Sequence, residues 1–127
     1  MLIQQKGRES IMLKIILPRG DRTSKKIAIR ERATGEITNI EFDDIFFTVK
    51  RAYLNQEYKF QKRYSDGSIT KDSEGYYHFT ILPEDTDGLP FGDYDFDIEV
   101  VKNGAIKHTT VGILSLTREV TYAVNEV

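Results

Sequence analysis

The side chains able to do chemistry in this chain are few and scattered. There is no cysteine, and His78 and His108 are the only histidines. Each falls in a run with strand alternation, and neither has the spacing of a metal ligand pair. No serine stands in the strand-turn-helix setting that would expose a nucleophile, and the glycines lack phosphate-binding spacing. Two histidines on strands without a nucleophile and an orienting partner read as cross-strand neighbours. The acidic residues Glu84, Asp85, Asp87, Asp93, Asp95 and Asp97 are dense enough to suggest Ca²⁺. However, alternate residues on a strand stand about 6.8 Å apart, and a cation needs its oxygens converging at about 2.4 Å. Asp93, Asp95 and Asp97 therefore read as a solvated face, with Lys50, Lys59 and Arg63 as cross-strand counter-charges. The sequence assigns no catalytic, cofactor-binding or metal-ligating residue.

Two further stretches invite a functional reading. Arg19-Gly20-Asp21 matches an adhesion tripeptide, but Gly-Asp after Pro18 is an ordinary way to end a strand. Tyr53, Tyr64 and Tyr76 are expected to face outward, where they would form a sugar-stacking or protein-contact patch. Most of the seven Phe and seven Tyr are expected in the core or at its rim.

The elements that must position these residues are organised around 82–101. From Asp93 to Val100 the alternation is strict, with Tyr94, Phe96, Ile98 and Val100 on one face and Asp93, Asp95, Asp97 and Glu99 on the other. That predicts a half-buried antiparallel strand with an acidic outer surface. The residues before it, 83–92, hold two prolines and two glycines. They predict one helical turn at 83–86 and then a corner. A tyrosine two residues past Gly92 matches the tyrosine corner of Greek-key sandwiches, so Gly92 and Tyr94 are the expected structural corner.

The rest of the chain follows the same pattern. Residues 1–10 predict an arm or edge strand. Ile11, Leu13, Ile15 and Leu17 face in, which leaves Met12 and Ile16 as apolar residues pointing out. Those two are the candidate interaction residues. Ile27 and Ile29 face in, Thr34-Gly35 turns, and 37–42 is a short strand or extended link. Ile45, Phe47 and Val49 face in. Asp66-Gly67 then predicts a hairpin, with 68–71 pairing back. Tyr77, Phe79 and Ile81 face in, and Asn103-Gly104 is a second hairpin. In the return strand, Val111 and Ile113 are read inward and then Leu114 and Leu116, which predicts a bulge near Gly112. Val120, Tyr122 and Val124 suggest a final strand. About eight to ten short strands with no long helix predict an all-β, Ig-like antiparallel sandwich with Greek-key connections.

Composition bounds the function. A chain of 127 residues suits a single domain, 1–127, which must be stabilised by packing without disulfides. The net charge of −2, from 18 basic and 20 acidic residues, predicts neither nucleic-acid nor membrane binding. No apolar run approaches the roughly 20 residues of a membrane span. The N-terminus lacks the apolar core and cleavage site of a signal peptide.

A series of these segments carries a resemblance. It runs through Gly20-Asp21, Ile45-Phe-Phe-Thr-Val-Lys50, Phe60-Gln61-Lys62, Glu74-Gly-Tyr-Tyr-His-Phe-Thr-Ile81, Pro83-Glu-Asp-Thr86, Leu89, Gly92-Asp-Tyr-Asp-Phe-Asp-Ile98 and Asn103-Gly104. The series is similar to small phage and prophage tail-module proteins of Gram-positive bacteria, including the Ig-like N-terminal domain of baseplate upper proteins. The likeness covers 11–122. It implies a non-enzymatic assembly role with no cofactor, other tail or baseplate proteins or further copies as partners, and a place in a virion tail assembled in the bacterial cytoplasm. The alternative is an Ig-like ligand-binding module, for carbohydrate or cell-surface adhesion.

Overall fold

The computed structural model describes residues 2–4, 13–51 and 57–118. Met12, Ile11, Tyr53 and the expected strand at Val120, Tyr122 and Val124 lie outside them. Among the described residues nine strands and one helical turn follow in order: β1 (Leu2–Gln4), β2 (Leu13–Pro18), β3 (Thr23–Arg30), β4 (Asp44–Lys50), β5 (Phe60–Arg63), β6 (Ile69–Lys71), β7 (Tyr77–Ile81), α1 (Pro83–Thr86), β8 (Gly92–Lys102) and β9 (Ala105–Thr117). They form two sheets, β1-β3-β7-β6 and β2-β9-β8-β4-β5. In immunoglobulin lettering these are A-B-E-D and A′-G-F-C-C′, with the first strand split between the sheets. The expected all-β sandwich is the observed one.

Alternation built these strands as expected. Leu13, Ile15 and Leu17, then Ile45, Phe47 and Val49, then Tyr77, Phe79 and Ile81, and then Tyr94, Phe96, Ile98 and Val100 are all buried between the sheets. Phe47 stands at the centre. Its ring stacks on Phe79 of the facing sheet at 4.3 Å, and meets Phe96 at 5.2 Å and Phe60 at 6.2 Å. Asn103 and Gly104 both have positive φ, 54° and 75°, as a two-residue type I′ hairpin requires.

Four local expectations need correcting or refining. First, the sandwich is not wholly antiparallel, because β2 runs parallel to β9, from Leu13↔Gly112 to Pro18↔Thr117. The split first strand enters the second sheet beside the last one, in the same direction. Second, Asp66-Gly67 does not make a hairpin, because β5 pairs with β4 while β6 pairs with β7 in the other sheet. Side chains turn the chain across. Ser68 Oγ accepts from the Arg63 N–H at 2.7 Å, while Asp66 accepts from the Ser68 N–H and hydroxyl. The Ser65 N–H and hydroxyl both donate to buried Asp44. Third, the register slips not at Gly112 but between Val100 and Val101, where β9 steps from His108 to Ile106. Gly112 keeps the inward parity of Leu114 and Leu116, so Val111 and Ile113 point outward. Glycine carries no apolar side chain and so hides an inward position from a hydrophobic pattern. Fourth, 37–42 is an extended link, held by a bridge from Ile37 to Arg30 and by the Thr38 N–H donating to Ile29 at 2.9 Å. At the N-terminus, β1 pairs with β3 as an edge strand.

Two outcomes test this packing. A Cβ on Gly112 would collide with the Phe96 ring and lie 2.6 Å from the Leu13 carbonyl oxygen. Gly112→Ala is therefore expected to destabilise by about 1–3 kcal/mol, read as a lower denaturant midpoint. Asp44 is pulled two ways. Burial works to raise its carboxyl, but hydrogen bonds from Ser65, Arg63 and the Ile45 N–H outweigh this and hold it below the usual range. A lowered folded pKa stabilises fully above the unfolded value near 3.9 and is lost as pH falls through the folded one. Asp44→Asn should cost about 1.5–3 kcal/mol at neutral pH and flatten the acid limb of a stability-versus-pH curve below about pH 4.

Candidate interaction surface

The side chains singled out for chemistry do not converge. His78 Nε2 lies 2.7 Å from Asp72 Oδ2 beside the β6–β7 turn. His108 Nε2 lies 3.1 Å from Thr110 Oγ1 in β9, and its pKa is lowered, chiefly by burial, with Arg32 a lesser contributor. The acidic residues disperse as well. Asp85 caps α1 by accepting from the Leu82 N–H at 2.7 Å and pairs with buried Lys62 of β5 at 2.6 Å. Asp93 accepts from the Ser115 hydroxyl, and Asp95 stands opposite Lys50 in the register. Asp97 is raised by burial and by Glu99, with Lys50 opposing. Among the described residues no group of three or more His, Asp or Glu is placed to hold a metal ion. Of the expected counter-charges, Arg63 pairs instead with Asp44 at 2.9 Å.

The tyrosines are engaged too. Lys26 Nζ sits 4.1 Å over the Tyr76 ring, and Tyr64 packs edge-on against Tyr77 at 5.4 Å while donating to Glu41 at 2.6 Å. The Tyr77 hydroxyl is buried with no hydrogen-bond partner among the described residues, and burial, then Glu41, pushes it up to about 12. It is neutral at any working pH and cannot serve as a base.

The corner residues meet at one end of the sandwich. Tyr94 is fully buried, and its hydroxyl donates to the Pro90 carbonyl at 2.7 Å, closing the β7–β8 crossover. Gly92 has φ +123°, a region open to glycine, and Arg51 packs 3.5 Å from where a Cβ would be. Above them Arg51 lies 4.7 Å over the Tyr94 ring. The Arg19-Gly20-Asp21 turn docks on the same crossover. Arg19 Nη1 donates to Leu89 at 3.1 Å, its guanidinium lies 4.2 Å over Phe91, and the Gly20 N–H donates to buried Thr86 at 3.0 Å. An arginine held in this way is part of the fold rather than an extended recognition finger.

What remains solvent-facing and organised is the outer surface of the five-stranded sheet. The register sets its outward residues in rows. One row is Lys14, Ile113, Asp95, Lys50. On one side lies Ile16, Ser115, Asp93, and on the other Val111, Asp97, Thr48. Ile16 is 65% exposed and Val111 39%, with Ile113 half-buried between them. Beside this apolar stripe, Thr48, Lys50, Asp95 and Asp97 line a shallow groove of about 220 Å³ over the Phe96 backbone. The sequence signal for Ile16 was its outward parity. Val111 and Ile113 carry the sequence pattern of core residues, and only the inward glycine between them settles their direction.

No protein-family model matches the chain, and no curated protein does. Among solved structures it is similar to the endo-β-1,4-mannanase from Thermotoga petrophila, at TM-score 0.51 and 12% identity. The likeness covers 83% of this chain and 18% of that one. At this identity it shows the fold alone, a β-sandwich. No helix among the described residues is long and apolar enough to cross a membrane.

The corner makes a direct prediction. Tyr94→Phe removes one hydrogen bond, from the Tyr94 hydroxyl to the Pro90 carbonyl. The expected loss is about 1 kcal/mol, with an unchanged circular dichroism spectrum and a lower melting temperature. An unchanged midpoint would mean the hydroxyl does not hold the crossover.

Proposed function

We propose that this chain is a non-enzymatic structural protein of a phage or prophage tail or baseplate, acting through protein–protein contacts. The observation that carries the reading is the apolar stripe of Ile16, Val111 and Ile113 on an outer sheet face, flanked by ordered charges. Water-facing positions of a sandwich are ordinarily polar, and a contiguous apolar exception marks a contact surface. Met12, the other outward apolar residue in the sequence of β2's approach, lies outside the described residues. The resemblance along 11–122 supplies the tail setting. Assembly in the bacterial cytoplasm and incorporation into the virion follow from that setting.

A second reading, a carbohydrate-binding or adhesion module, draws on two observations. One is the groove lined by Thr48, Lys50, Asp95 and Asp97, whose groups could hydrogen-bond hydroxyls. The other is the sandwich's likeness to a stretch of a mannanase. Magnitude favours the first reading. The groove is smaller than the roughly 300–1,000 Å³ of small-molecule pockets. Its one aromatic, Phe96, turns its ring into the core, where no sugar can stack on it.

The test is compositional. Tail particles purified from an induced culture carrying this gene are expected to contain the chain in fixed stoichiometry by quantitative mass spectrometry. Intact particles without it would overturn the tail assignment, and millimolar or tighter binding of manno-oligosaccharides by calorimetry would favour the second reading.

A further inference from the structure

Resting on the assembly reading, the register points to the occupant of the outer sheet face. We propose that a second copy of this chain packs there, face to face, about a two-fold axis running along β9. The row Lys14, Ile113, Asp95 is centred on β9, with β2 on one side and β8 on the other. A two-fold axis along β9 exchanges left and right while leaving position along the strand unchanged. It therefore sets Ile113 against Ile113 of the second copy, Lys14 against Asp95, and Asp95 against Lys14. Val111 likewise meets Val111. The result is an apolar centre of Ile113 and Val111 with a Lys14–Asp95 pair on each side, as a two-fold interface demands, while in the next row Ile16 lies opposite Asp93 of the second copy.

Two other face-to-face arrangements fail on charge. An axis in the interface plane but perpendicular to the strands sets β8 on β8, and so does an axis along β8 itself. Both lay the acidic row Asp93, Asp95, Asp97 and Glu99 against the same row of the second copy. Like charges in register cost several kcal/mol. Lys14 is exposed, and among the described residues neither Lys14 nor Asp95 has an ion-pair partner within the chain. Packed sheets lie about 10 Å apart, a gap that a lysine stem reaching towards an aspartate can bridge.

Sedimentation equilibrium across micromolar concentrations tests this, with circular dichroism confirming that each variant folds. The wild type is expected to dimerise. Lys14→Asp and Asp95→Lys alone should each weaken the dimer at least about tenfold, since each sets like charges together on both sides of the axis. The two combined should restore it. Because the chain has no cysteine, Ile113→Cys supplies a unique thiol. A short bis-maleimide should join two copies through it, but not through Ser24→Cys on the opposite sheet. A wild-type monomer throughout, a dimer indifferent to the charge reversals, or equal cross-linking at both positions would overturn the proposal. None of these results would remove the chain from tail particles, so the failure of the dimer and the failure of the assembly reading remain distinguishable.

Discussion

The contact of Phe47 with Phe79 and Phe96 sets the spacing of the two sheets, and much else follows from it. Phe96 reaches under β9 and occupies the space a side chain at 112 would fill. The strand must carry glycine there, and the same glycine lets the β2 backbone approach at Leu13. With Gly112, Leu114 and Leu116 assigned to the core, Val111 and Ile113 have no choice but to face out. The apolar stripe on the surface is thus fixed by an aromatic cluster inside. Changing the core contact would alter the outer face with it.

The ends of the sandwich are tied by different means. At one end Tyr94, Thr86, Arg19 and Arg51 gather the crossover and the β2–β3 turn through hydrogen bonds and guanidinium–ring contacts. At the other, Asp44 holds Ser65 and Arg63, and Glu41 accepts from Tyr64 and Lys71. With no disulfide available, these polar ties fix the connections while the apolar cluster supplies most of the driving force. They also account for most of the side chains that looked chemically useful. Polar groups committed to crossovers are not free to act on a ligand.

Much of the fold was legible because alternation is a local signal. The run from Asp93 to Val100 declared its buried and exposed faces without help from any other segment. The corner was legible because Gly92 and Tyr94 lie two residues apart. What escaped was non-local. Asp66-Gly67 has the composition of a hairpin turn, and nothing near it reveals that Ser65 and Ser68 are bound so as to send the chain to the other sheet. The parallel pairing of β2 with β9 joins segments about a hundred residues apart. The row of Lys14, Ile113 and Asp95 needs three strands in register before it exists at all. An interaction surface on a sheet is a property of register, and register is the part of a β-fold that periodicity alone does not provide.

If two copies pack through the outer face of β2, β9 and β8, the contact grows with protein concentration. Amide chemical shifts followed by NMR as concentration rises would locate that contact directly. Shifts and line broadening are expected to concentrate around Lys14 of β2, Val111 to Ile113 of β9 and Asp95 of β8, while the outward residues of β3 and β7 stay unchanged. Perturbations that fall on β3 and β7 instead, or spectra identical at all concentrations, would contradict it.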